Sequence, residues 1–210
     1  MLVLLAATIP RNIVLFANLR FRPDVPWAVP VLGVVLWLFW RSVRGFPDLR
    51  AGNLPVRTWA WSLLAGTVAL VALVPGLRVV SRFVPLPVQQ MPDLAYVPAT
   101  TMAALLLMSS LFAGVVEESA FRGLMQAPIE RQNGLPIAIL ITGTMFALVH
   151  LDFTPILWPY YLAVAAIYGT ITHVSGSILP AVVLHTLGNV YSNFTLWLYG
   201  RAEWQAAPGV

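Results

Sequence analysis

About twenty mostly apolar residues, the length that crosses a bilayer core, lead into two adjacent carboxylates, Glu117 and Glu118. Arg122 follows one helical turn after the second acid, in a stretch that reads L-F-A-G-V-V-E-E-S-A-F-R from Leu111. A charged side chain in hydrocarbon costs on the order of a few kcal/mol, so an ionisable residue within a spanning segment marks function by default. Two acids side by side would be a strange way to build an inert helix. Any fold for this chain has to shelter that cluster.

The surrounding composition fits a bilayer. Of 210 residues, 59% are hydrophobic and only 10% charged, against about 25% charged in a soluble domain. The chain is therefore a polytopic membrane protein, an all-α transmembrane helical bundle. The net charge of +4 comes entirely from arginine, because the sequence has no lysine. In so apolar a chain a basic excess serves interfacial anchoring and loop charge; no basic stripe with interleaved aromatics offers a nucleic-acid surface. With no cysteine, disulfides, thiolate chemistry and Cys-based metal sites are excluded. Eight tryptophans, mostly near the ends of apolar runs, read as the aromatic belts of a bilayer protein, as do the tyrosines.

Residues 1–19 are apolar but interrupted by Pro10, Arg11 and Asn12, and read either as a first span or as a helix lying in the interface. No basic leader and no small-residue cleavage site mark them as a signal peptide. Trp27 to Trp40 is a span, and Arg41 to Arg57 a polar loop holding Arg41, Arg44, Arg50 and Arg57. As the densest basic loop it belongs in the cytoplasm, although Arg78 and Arg82 on the other side oppose that orientation. Trp59 to about Val80 is the next span, kinked or ended by Pro75-Gly76, and the proline-rich residues 81–98 form a loop. The helix that carries the acids opens after Pro98 and runs to about Gln132. Asn133-Gly134 is a turn, and a helix from about Leu135 to His150 follows, with Pro136 in its first turn. Asp152 to Pro155 is a break with Thr154 as N-cap; residues 155–173 and 178–199 are the last spans, joined by a turn at Ser175-Gly176-Ser177. The count is six spans, or seven with the N-terminal one. The organisation is 1–97 for N-terminal helices and loops, 98–199 for a catalytic core, and 200–210 for a short tail.

The spacing brings candidate residues together. Glu117 lies about sixteen residues before the 133–134 turn and His150 about sixteen after it, so each sits roughly 24 Å from the turn. His185 and Asn189 are four apart on one face of the last helix, and Glu118 and Arg122 are four apart, the spacing of a same-helix ion pair. A carboxylate, two imidazoles, an amide and a braced charge pair suit hydrolysis. Glutamate can take a proton from water, and histidine and asparagine donors can stabilise the oxyanion formed when a carbonyl is attacked. Equally, Glu117, His150 and His185 are acceptable ligands for a divalent, zinc-like metal that lowers the pKa of bound water. The residue set accommodates both versions.

These residues also resemble a known set. EExxxR stands at Glu117-Glu118-S-A-F-Arg122, FxxxH at Phe146-A-L-V-His150 and HxxxN at His185-T-L-G-Asn189. In order, spacing and placement in successive apolar segments, the chain resembles the CAAX-prenyl-protease and bacteriocin-processing family of intramembrane endopeptidases, also called the type II CAAX endopeptidase or abortive-infection family. The resemblance covers roughly residues 98–199. It implies an all-helical membrane protease with its site within the bilayer, on three of the C-terminal helices. Glu117, His150 and His185 match the catalytic residues and Asn189 the oxyanion-stabilising one, while Glu118 and Arg122 support the site and Phe146 walls it. The substrate would be a membrane-associated protein or peptide, prenylated in the eukaryotic branch, and the location a bacterial inner membrane. A non-catalytic immunity or scaffold protein of the same family is the competing reading. A small transporter or proton relay fits less well, because paired, broken helices in repeated halves are lacking. His173, beside a turn, reads as structural, and Asp152 as a turn residue.

Overall fold

The computed structural model describes residues 2–86, 93–150, 155–202 and 205, and among them every regular element is helical. In chain order these are α1 (Leu2–Phe21), α2 (Ala28–Val43), α3 (Val56–Val80), α4 (Ala99–Glu118), α5 (Gln126–Asn133), α6 (Leu135–Val149), α7 (Trp158–Ser175) and α8 (Leu179–Tyr199). A π-helical stretch, Ser119–Met125, joins α4 to α5, and short 3-10 turns stand at Pro47–Leu49 and Pro155–Leu157. By length and composition, α3 and the continuous Ala99–Asn133 helix are apolar enough to cross a membrane; α2 and α6 are apolar but shorter.

Several boundaries differ from the sequence reading for one physical reason. Pro10 lies inside α1 and Pro75 inside α3, and neither ends its helix. Opening the chain in apolar surroundings would strand backbone N–H and C=O groups, so helices there continue past a proline. The polar loop expected at 41–57 is shorter, because α2 continues through Arg41 to Val43 and α3 starts at Val56. Turns fall where their residues demand them. Gly134 adopts φ +81° between α5 and α6, and Gly176 adopts φ +72° after α7, a region that favours glycine. The proposed turn at Asp152 and cap at Thr154, and part of the proline-rich loop (87–92), lie outside the described residues.

α4 is the axis of the bundle. It packs on α8 on one side and on α1 and α2 on the other, while α6 and α7 form a second packed pair and α3 leans on α7 and α8. Buried Phe112, Val116, Phe121, Phe146, Tyr168 and Leu184 belong to one apolar cluster at this crossing. Small residues set the separations. A Cβ added to Gly114 would lie 2.2 Å from Thr186 Oγ1 and 3.0 Å from α8 backbone atoms. One added to Gly66 of α3 would lie 2.2 Å from Leu184. Polar pins add to the packing. Asn193 Nδ2 donates to Ser110 Oγ across α4 and α8 at 3.0 Å. Buried Asn18 ties the end of α1 to the start of α2, donating to the carbonyls of Arg22 and Val25 and accepting from Ala28 N.

The arginine-bearing loop docks on the far end of the acid helix. Arg50 takes a left-handed conformation (φ 54°), its carbonyl accepts from Ile178 N at 2.9 Å, and its guanidinium pairs with Glu130 at 3.0 Å. Glu130 also accepts from Gln126 and meets His173 Nδ1 at 2.8 Å, so His173 sits in a surface-end polar network away from the acid pair.

Candidate active site

The acids arrive at the end of α4, where the backbone widens into the π turn Ser119–Met125. Single π turns within α-helices are frequent at functional sites because the extra residue re-aims the side chains around it. The sequence predicts one uniform helix from Pro98 to about Gln132, and the π turn at Ser119–Met125 is the departure from it. Gly123 lets this turn lie against Leu49, whose backbone would be 3.2 Å from an added Cβ.

Glu118 and Arg122 are both wholly buried, with Nε 3.3 Å from Oε2. That contact is electrostatic and lacks hydrogen-bond alignment, and the remaining guanidinium nitrogens find no hydrogen-bond partner among the described residues. Aromatic rings take their place. The Arg122 guanidinium carbon lies 5.0 Å from the Phe146 centroid, 5.5 Å from that of Tyr168 and 5.7 Å from that of Phe121. A desolvated cation over ring faces is worth about 2 kcal/mol, partial compensation for lost hydration. The FxxxH phenylalanine is thus also part of the arginine's cage.

Glu118 divides its oxygens. Oε2 faces Arg122, and Oε1 meets His185 Nδ1 at 2.7 Å. An ionised carboxylate only accepts, so His185 donates its Nδ1–H and turns Nε2 into the site. There Nε2 lies 3.8 Å from Glu117 Oε2, at the limit of an ion pair. Glu117 keeps 15% of its side chain exposed while His185 keeps 4%, so the first acid is the accessible one of the two.

His150 caps the end of α6 and is itself exposed. Its Nδ1 lies 2.7 Å from the Phe146 carbonyl, which again makes Nδ1–H the donor and leaves Nε2 outward. Phe146 touches both imidazoles, with centroids 4.6 Å from His150 and 5.9 Å from His185. A cavity of about 390 Å³ between α3, α6, α7 and α8 is lined by Phe146, His150, Tyr161, Tyr168, His185 and Asn189, with apolar residues of α3 as its outer wall. All seven residues singled out in the sequence therefore sit around one locus, Glu117, Glu118 and Arg122 behind His185 and the other four on the cavity. As they stand, Glu117, His150 and His185 do not converge as a three-ligand metal cluster among the described residues.

Three neighbours were not read from the sequence. Tyr161 and Tyr168, assigned to membrane belts with the other aromatics, instead stack on the two histidines. Their seven-residue spacing, two turns on one face of α7, was the available signal. Arg11 of α1, read as an interruption of the first apolar run, lies near enough to Glu117 to feel its charge.

The bundle buries a paired carboxylate, guanidinium and imidazole at the end of a helix long and apolar enough to cross a membrane. A family model described as Type II CAAX prenyl endopeptidase Rce1-like matches residues 99–191. Those residues carry the whole EExxxR, FxxxH and HxxxN set, and it is this stretch of the chain that is similar to that family. No curated protein and no solved structure matches the chain.

Proposed function

We propose that this protein is an intramembrane endopeptidase in which Glu117 activates the attacking water. The observation that carries the reading is the buried series Arg122, Glu118, His185 and Glu117, linked at 3.3, 2.7 and 3.8 Å. A purely structural ion pair has no need of a histidine turned from it toward a second, accessible acid. Glu117 takes one proton from water as the oxygen forms its bond to the scissile carbonyl carbon. The negative charge that develops on the carbonyl oxygen is met by the Asn189 amide, and by histidine Nε2 when that ring carries its second proton. Glu117 then returns the proton to the departing amine as the C–N bond breaks. The residues as placed support a glutamate-activated water, and no step in this reading passes through a metal.

The substrate on this reading is a membrane-associated or C-terminally lipidated protein. The bundle spans a bacterial inner membrane six or seven times. The test is cleavage of a library of membrane-protein C-termini by purified protein in lipid, with new chain ends read by mass spectrometry for wild type and Glu117→Ala. New ends that vanish in the variant support the reading. Ends that persist refute the role of Glu117, and identical uncleaved libraries from folded wild type and variant favour a binding or immunity protein. Repeating the assay with chelator decides the metal question: activity is expected to survive, and its loss with recovery on adding zinc would move Glu117, His150 and His185 to the role of ligands.

A further inference from the structure

Each candidate histidine is held in the same way, by elements far apart in the chain. His150 ends α6 and His185 lies on α8, yet each commits Nδ1 to an acceptor, the Phe146 carbonyl for one and Glu118 for the other. One hydrogen bond fixes a point on a ring and leaves its plane to be set by something else. In both cases α7 supplies a ring stacked on that plane, while Phe146 meets each imidazole edge-on. Tyr161 stacks on His150 with centroids 4.5 Å apart and planes inclined by 28°. Tyr168 stacks on His185 at 5.1 Å and 16°. Stacked rings at these distances attract one another beyond their burial, which biases one orientation of a side chain with few alternatives.

The geometry points to Tyr161 and Tyr168 as positioning residues that fix the ring planes of His150 and His185, two imidazoles that line one cavity, with α7 as the common template. This inference rests on the catalytic reading above, but the placement of the rings can be tested apart from it. Two features set Tyr168 apart from a packing residue. Its ring also faces the Arg122 guanidinium at 5.5 Å, so a single side chain contacts both ends of the Arg122–Glu118–His185 series. Its hydroxyl reaches α8 beside Gly188, where an added Cβ would lie 3.5 Å away, one residue before Asn189. The tyrosine thus underlies the whole face from His185 to Asn189. Tyr161 is placed to do the same for the exposed histidine, which has less protein around it to hold the ring.

The chain has three histidines, so each can be followed separately. The full-length protein in lipid nanodiscs, labelled at histidine, is compared as wild type, Tyr161→Leu, Tyr168→Leu and the two phenylalanine variants, using long-range 1H–15N spectra that report ring tautomer. The wild type is expected to show His150 and His185 as Nδ1–H tautomers. Tyr168→Leu is expected to mix the tautomers of His185 alone, and Tyr161→Leu those of His150 alone, with His173 unchanged in both as the check on folding. Phenylalanine in either place keeps the ring and restores the wild-type pattern. On a substrate from the library, each leucine variant lowers kcat roughly ten- to a hundredfold with KM little changed, the signature of misaimed groups. If a leucine variant does not fold, methionine of similar length replaces it. Leucine variants that leave both tautomers and kcat intact overturn the inference, as do variants that disturb all three histidines alike. If the wild type cleaves nothing, the catalytic reading fails, while the crossed tautomer pattern still decides whether α7 positions the two rings.

Discussion

The most apolar eighteen-residue stretch of α3 has a mean hydropathy of 2.1 and that of the α4–α5 helix 1.9, yet 11% of the first is buried within the protein and 50% of the second. Hydropathy says that both prefer hydrocarbon and nothing about which one the protein surrounds. The difference lies in the small and polar residues. α4 buries Thr101, Ser110, Ala113 and Gly114 before it reaches Glu118; Gly114 lets α8 approach closely, Ser110 accepts from Asn193 of α8, and Thr101 donates to the Asp24 carbonyl between α1 and α2. α3 buries only Ser62 and Gly66, and turns Trp61, Leu64 and Val68 away from the protein. In a bilayer, lipid tails are as apolar as leucine, so helices associate through small residues and polar contacts rather than by hydrophobicity. α4 is therefore built to be enclosed, and α3 to be the outer wall of the site.

The largest effects are expected inside α4. Glu118→Gln or Arg122→Met leaves one buried charge without its partner and should cost about 3–5 kcal/mol, whereas the double variant should be less destabilised than the two singles added together. Unfolding in detergent or lipid measures this, and additive losses would show that the pair does not act as a unit. Next comes α3. Val68→Asp puts a charge on its exposed face and should cost about 2.5–3.5 kcal/mol of membrane insertion, while Val68→Leu should be silent. Normal insertion of the aspartate variant would break the contrast by showing that this face is not in lipid. Gly114→Ala forces α4 and α8 apart near the acids and should cost roughly 1–3 kcal/mol, with cleavage falling more than stability because His185 and Glu118 separate together. Equal sensitivity at Gly33, where an added Cβ meets nothing within 4 Å, would remove the argument.

The smallest effect is expected at the loop that docks beyond the site. Asp48 accepts a hydrogen bond from Arg131, which with its charge holds the Asp48 carboxyl below the usual carboxylate range against a smaller opposing desolvation. A depressed carboxyl contributes stability above its unfolded-state pKa and loses it as pH falls through the folded-state value. Arg131 is exposed and Asp48 about a third exposed, so Asp48→Asn should lower neutral-pH stability only slightly, and its profile should meet that of the wild type as pH falls. A clear loss at neutral pH would mean that this loop does more for the acid helix than its exposed ion pair suggests.

Much of this architecture was legible beforehand, for reasons that differ by element. The hairpin at Asn133-Gly134 was readable because a glycine with φ above zero and Pro136 at a helix start are local requirements. The Glu118–Arg122 and His185–Asn189 pairings were readable because a four-residue spacing places side chains on one face of any helix. The continuity of α1 and α3 through proline was not readable, since proline's local preference is overridden by surroundings in which exposed backbone groups are costly. Nor was the π turn, which depends on how the segment meets Leu49 and the neighbouring helices.

By itself, then, the sequence determined that this chain folds as apolar helices and which helices carry acid, imidazole and amide, because hydropathy, turn chemistry and helical period are properties of short segments. Only the tertiary structure decided that Glu118 rather than Glu117 takes His185, that three aromatic rings enclose Arg122, and that two tyrosines of α7 face two histidines from α6 and α8. Those pairings join residues dozens of positions apart, and which partner each side chain meets is fixed by how closely the helices pack and at what rotation.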